Sequence, residues 1–194
     1  MTSPEYDLRY LKAGIEQLES YLLSSDVYWS IGTRAPAGET PYPQLTLGVL
    51  LLARLRAQSS MKTSTQQVEL EELNGRLNDL RTRWRVAWEG KASKEYHTRL
   101  NLWKNFLEEY RANPETQYDR YKYEVTRRVI LDLLGAETEN IPQTQRDLLA
   151  SLDLLLHTIF ISGKFIWDIS LDASFPQDQY WYLYGRVPKS LQRE

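Results

Sequence analysis

Apolar residues recur at alternating intervals of three and four along most of this chain, the spacing that gathers them on one side of an α-helix. The first seam is Leu8, Leu11, Ile15, Leu18 and Leu22, opened by Ser3-Pro4, a capping residue followed by proline where a first helical turn tolerates it. Around and after Thr46, a shorter run of Leu45, Leu47, Val49, Leu50, Leu51, Leu52 and Leu55 covers nearly a whole helical circumference, which suits the middle of a bundle. Leu45 to Leu55 is too short to span a bilayer. Ser64 and Gln67 have the capping-box spacing and predict the start of a helix with the seam Leu70, Leu73, Leu77, Leu80, Trp84 and Ala87.

Continuing that seam beyond Gly90 would require apolar residues near Lys91, Lys94 and Thr98. The next seam, Tyr96, Leu100, Trp103, Leu107 and Tyr110, lies about two residues out of register. The phase slip predicts a break near Gly90 and a new helix capped by Ser93. Asn113-Pro114 ends that helix and begins another, which carries Tyr118, Tyr121, Val125, Val129 and Leu133 as far as Gly135. A last long helix opens after Pro142, and its apolar face of Leu148, Leu149, Leu152, Leu155, Leu156, Ile159 and Phe160 has a pattern that extends through Gly163 to Ile166 and Ile169.

Two stretches lack this period. Residues 24–44 contain Gly32, Gly38, Pro36, Pro41 and Pro43, which exclude a regular helix. The tail from Asp172 gathers Phe175, Pro176, Tyr180, Trp181, Tyr182, Tyr184 and Pro188, and so much apolar surface is expected to lie against the bundle. The pattern as a whole predicts an all-α fold: a mostly antiparallel bundle of five or six helices, read as a single helical domain over residues 1–194, with a Pro/Gly-rich loop near 24–44 and an irregular aromatic C-terminal tail.

Composition adds three constraints. Apolar residues at 42% and charged residues at 26% are the balance of a globular chain rather than a disordered one. The 13 Tyr and 6 Trp outnumber 4 Phe, a preference for rings with a polar handle that suits core edges and interfaces. The absence of Cys excludes disulfides, thiolate metal sites and a cysteine nucleophile. With no basic, apolar leader at its start, the chain is expected to be cytoplasmic and not membrane-bound.

Catalytic signatures are sparse. There is no Gly-x-Ser-x-Gly elbow, no Gly-Lys-Ser/Thr phosphate loop and no Gly-x-Gly-x-x-Gly fingerprint. Neither His97 nor His157 has a Glu three residues before it, so the di-iron pattern of helical bundles is missing, and two histidines without cysteine serve zinc poorly. No cofactor, metal or catalytic residue is assigned. Asp153 stands four residues before His157, so the two can meet on one helical face as a polar pair.

The net charge of −2 with interspersed signs creates no global field toward nucleic acid. Arg81, Arg83, Trp84, Arg85 and Trp88 interleave bases with rings, but on one helix they point in different directions. Arg120, Lys122, Arg127 and Arg128 are diluted by Asp119 and Glu124. Nucleic acid is disfavoured as a partner.

An internal echo remains. Asp26-x-Tyr28-Trp29 is followed by Arg34-x-Pro36, and Asp178-x-Tyr180-Trp181 by Arg186-x-Pro188, at identical spacing. Tyr28, Trp29, Arg34, Tyr180, Trp181 and Arg186 are therefore the candidate interaction surface, expected to lie together. The expected role is a non-enzymatic protein-interaction or assembly protein whose partner is a protein, either another copy or a different chain. The alternatives are a small-molecule-binding helical module and a nucleic-acid-associated accessory subunit.

Overall fold

A computed structural model describes residues 4–60 and 63–190. The chain is mostly helical, with one small two-stranded sheet. Helix α1 spans Pro4–Leu23, α2 Leu47–Ser60, α3 Ser64–Arg83 and α4 Arg85–Ala112. The short α5, Pro114–Gln117, and α6, Tyr121–Glu124, flank a 3-10 turn at Tyr118–Arg120 and lead into α7, Thr126–Gly135, and α8, Gln143–Ile159. The expected Ser3 cap lies outside the described residues.

α2 is the central element. It packs on α1, α4, α7 and the 3-10 turn Ile169–Ser174, which explains why its sequence is apolar all round. α7 lies against α4 and α2. Gly48 permits the close approach of α2, since a Cβ there would sit 2.3 Å from Ile130 Cγ2 and 2.8 Å from Glu95 Oε1.

Four expectations about element boundaries are corrected. The capping box that opens α3 is Thr63 with Gln66, one residue earlier than Ser64 with Gln67. The break between the two long seams falls at Trp84, where φ is −112° and ψ 34°, rather than near Gly90, and α4 runs straight through Gly90 and Ser93. The phase slip is real but comes earlier, because the buried face of α4 begins at Trp88 and includes Lys91 and Glu95, two ionisable residues that polarity alone assigns to solvent. The helix expected between Pro114 and Gly135 is divided into α5, the 3-10 turn, α6 and α7.

The fourth correction bears on the class itself. α8 ends at Phe160, in extended conformation with φ −80° and ψ 133°, and Ile161–Phe165 forms strand β1 instead of continuing the helix. β1 pairs antiparallel with β2, Tyr184–Arg186, matching Ile161 to Arg186, Ser162 to Gly185 and Phe165 to Tyr184. A short apolar run is compatible with either helix or strand, and the pairing partner arrives only from far along the tail. The fold is thus not purely α.

Buried tyrosines tie both irregular stretches to the helices. From α1, Tyr6 donates to the carbonyl of Pro41 at 3.2 Å, Tyr10 to that of Gln44 at 3.3 Å and Tyr21 to that of Val27 at 3.2 Å, fastening the 24–46 loop. Tyr110 donates to the carbonyl of Pro188 and Tyr121 to that of Tyr182, both at 2.7 Å, fastening the tail. Each ring fills core space while its hydroxyl satisfies a carbonyl that regular structure leaves unpaired. The abundance of Tyr over Phe has this structural use.

Candidate interaction surface

The tail builds a groove against the α5–α6 segment. Its cavity of about 380 Å³ is lined by Tyr118, Tyr121, Ile161, Ile166, Val187 and Pro188, with Asp119, Lys122, Gly185, Arg186 and Lys189 completing the wall. Val187 and Tyr121 are buried and form the floor. Gly185 makes the bend possible: its φ is +153°, and a Cβ would lie 2.2 Å from the Ile161 carbonyl oxygen and 2.6 Å from the Phe160 ring. The groove wall is held by the Tyr110 and Tyr121 hydrogen bonds already described, and by Trp167, whose indole N–H donates to the Lys122 carbonyl at 3.2 Å.

Its electrostatics differ from those around Arg81, Arg85, Arg120, Arg127 and Arg128. Arg81 pairs with Glu137 at 2.9 Å and Arg85 with Glu89 at 2.7 Å, while Trp84 and Trp88 donate their indole N–H groups to Glu19 and Glu137. Arg120 pairs with Glu109 and Glu124, Arg127 with Glu124, and Arg128 with Asp132 and Asp153. Among the described residues Lys122 is the member of that second cluster with no ion pair, and it lines the groove with Arg186 and Lys189. Among the described residues none of these three cations forms an ion pair. The Lys122 ammonium instead lies 4.8 Å from the centroid of the Tyr123 ring, and that of Lys189 lies 5.8 Å from that of Tyr118.

A larger, polar cleft of about 1040 Å³ lies between the α3–α4 junction and the α7–α8 connection. Two ion pairs and several further hydrogen bonds occupy its polar groups. Glu137 takes both Arg81 and Trp88, Glu89 takes Arg85 and, at 3.3 Å, Asn140, and Arg146 donates to the carbonyls of Ile141 and Glu139.

The six residues of the internal echo have different surroundings. Tyr28 stands at the surface, its ring 6.0 Å from the Arg99 guanidinium. Trp29 is half-buried and exchanges backbone hydrogen bonds of 3.0 and 2.8 Å with Leu45. Arg34 is exposed in the loop. Tyr180 is buried edge-to-face on Phe175 at 5.1 Å. Trp181 stacks on His157, with centroids 3.6 Å apart and planes 14° from parallel. Among the described residues no hydrogen bond, ring pair or cation–ring contact joins the two segments, and of the six only Arg186 lines the groove.

Asp153 and His157 each have another partner, and among the described residues no hydrogen bond or ion pair joins them. Arg128 donates from Nε and Nη2 to the two Asp153 oxygens, each at 2.8 Å, and it also pairs with Asp132, which accepts from Tyr182 Oη at 2.5 Å. His157 gives its face to Trp181. His97 lies between the side-chain amides of Asn101 and Gln145, 3.1 Å from each. Among the described residues no group of three or more His, Asp or Glu converges as metal ligands would, and no helix is long and apolar enough to cross a membrane.

Sequence reasoning did not anticipate the polar knot beneath the N-terminus of α2. Glu95, fully buried, accepts from the Thr46 hydroxyl at 2.7 Å, the Gly48 N–H at 2.8 Å and Arg99 at 3.0 Å. Thr46 also accepts from the Val49 N–H at 3.2 Å and Tyr21 Oη from the Leu47 N–H at 3.3 Å, so the carboxylate, the cap and the tyrosine together satisfy the first three amides of that helix. Lys91 donates to Ser24 Oγ at 3.0 Å and to the Asp26 carbonyl, with its ammonium 4.3 Å from the Tyr21 ring centroid. Burial pushes the Lys91 ammonium below its ordinary pKa. These groups fasten the loop and the start of α2 to α4. No family model, curated protein sequence or solved structure matches this chain.

Proposed function

We propose that this chain is a non-enzymatic protein-interaction or assembly protein, and that its recognition surface is the groove between the α5–α6 segment and the C-terminal hairpin. The observation that carries the reading is that Lys122, Arg186 and Lys189 stand around an apolar floor with no carboxylate paired to them among the described residues, whereas Arg81, Arg85, Arg120 and Arg128 all have acidic partners. An unsatisfied rim over a small apolar floor has the anatomy of an interface, where a desolvated centre supplies affinity and peripheral charge supplies selectivity. The tyrosine hydrogen bonds hold the groove walls before any partner arrives, which lowers the ordering entropy of binding.

Site-specific photo-crosslinking in the source cells tests this. A benzophenone side chain at Tyr118, half-exposed in the groove, is expected to trap a discrete protein adduct that disappears in the Lys122→Glu/Arg186→Glu background. The same probe at Val86, 86% exposed on α4 and outside the groove, is the control. Equal adducts from both positions, or none from Tyr118, would overturn the proposal.

A further inference from the structure

We infer that the occupant of this groove is an extended, acidic segment of a partner protein that places one large apolar side chain on the floor and carboxylates against Lys122, Arg186 and Lys189. The inference rests on the reading of the groove as the interaction surface and specifies what that surface selects.

Size argues for the extended form. A cavity of about 380 Å³ stands near the lower end of the roughly 300–1,000 Å³ range of ligand sites, enough for one large side chain and the backbone on either side of it. A helix, about 10–12 Å across with its side chains, needs a wider trough. Charge argues for acidity. The wall carries three cations and one carboxylate, Asp119, and the two lysines rest beside tyrosine rings, a weak partner that a carboxylate readily replaces.

Floor chemistry separates a peptide from a nucleic acid. Ile161, Ile166, Val187 and Pro188 are aliphatic and suit a Leu-like side chain, and with Tyr121 buried the lining offers Tyr118 as its half-exposed ring, whereas single-stranded nucleic acid is held by several exposed rings on which successive bases stack. Three cations also provide few phosphate contacts.

The test is fluorescence polarisation with the full chain and four probes: a short peptide of Asp and Glu with a central Leu, its Leu-to-Ser version, its Lys-for-acid version, and an oligouridylate. The acidic Leu peptide is expected to bind, to weaken with salt, and to weaken about tenfold both in Lys122→Glu/Arg186→Glu and on losing its Leu. Lys122→Glu/Arg186→Glu/Lys189→Glu should instead prefer the basic peptide, a switch that damage to the fold would not produce. The inference fails if acidic and basic peptides bind alike, if the central Leu makes no difference, or if the oligouridylate binds tighter than any peptide. Should the Tyr118 probe trap a protein through a segment that is not acidic, the interaction reading survives and the acidic occupant does not.

Discussion

Arg128 on α7 holds Asp153 on α8 through two parallel hydrogen bonds of 2.8 Å, Nε to Oδ1 and Nη2 to Oδ2. Its guanidinium also lies 4.7 Å from the centroid of the Tyr182 ring in the tail, so one side chain joins two helices and the C-terminal segment. Without Asp153 the buried guanidinium loses two charge-assisted hydrogen bonds and keeps Asp132 as an acidic partner. Asp153→Leu is expected to lower unfolding free energy by about 3 kcal/mol. His157→Ala, which removes only the stack on Trp181, should cost about 1 kcal/mol. Urea denaturation of both variants checks this; equal losses would mean that Arg128 does not organise the junction.

The continuity of α4 through Gly90 leads to a gain in stability on substitution. A Cβ at Gly90 would meet nothing within 4 Å, so Gly90→Ala is expected to stabilise by about 0.5–1 kcal/mol. Gly48→Ala should destabilise by about 1–3 kcal/mol, because its Cβ would press into Ile130 and Glu95. Opposite shifts in urea midpoint are the readout. A loss at Gly90 would indicate a chain break there instead of at Trp84.

Tyrosine hydroxyls fasten the tail, so their removal should loosen it locally. Tyr110→Phe and Tyr121→Phe each delete one hydrogen bond to a tail carbonyl, at Pro188 and Tyr182. Each is expected to cost about 1 kcal/mol, with amide exchange accelerated most between Phe175 and Val187. Uniform acceleration over the whole chain would show that the tail is not a separately fastened unit.

Alkaline pH should unfold the protein through the same residues. Burial pushes Tyr110 up to about 12 from an ordinary value of 10.0, and also raises Tyr10, Tyr21, Tyr121 and Tyr182. A raised tyrosine stays protonated in the folded chain where the unfolded chain has released its proton, so the stability it lends is complete below pH 10 and for Tyr110 is lost as pH rises through 12. Lys91 has the opposite sign: depressed by burial from 10.5, it favours folding as pH rises toward that value. The tyrosines outnumber it, and the urea midpoint is expected to fall steadily above pH 10. A flat or rising midpoint there would contradict the burial of these hydroxyls.

The long seams were legible because a helix needs only its own hydrogen bonds and one apolar face, both encoded within a few residues of each position. Leu8 to Leu22, Leu70 to Leu80 and Leu100 to Tyr110 announce α1, α3 and α4 for that reason. The candidate surface was legible only in part. Of the six echo residues Arg186 reaches the groove, while Trp29 and Tyr180 are taken up in holding the chain together. Lys122 looked like one member of a diluted basic run, since nothing local shows that Arg120, Arg127 and Arg128 will be claimed by acids on their own and neighbouring helices.

By itself the sequence determined the helical class, the positions of the long helices and the need to shelter an aromatic tail. Tertiary structure alone decided that Lys91 and Glu95 lie inside, that Ile161–Phe165 is a strand, and that Asp153 belongs to Arg128 rather than to His157. Each of those outcomes depends on a group supplied from elsewhere in the chain: Ser24 and Asp26 for Lys91, Thr46 and Gly48 for Glu95, Tyr184–Arg186 for the strand, and α7 for Asp153. A buried charge or an unpaired strand is costly until its partner is in place, and the partner's arrival is set by packing over long sequence distances rather than by local preference.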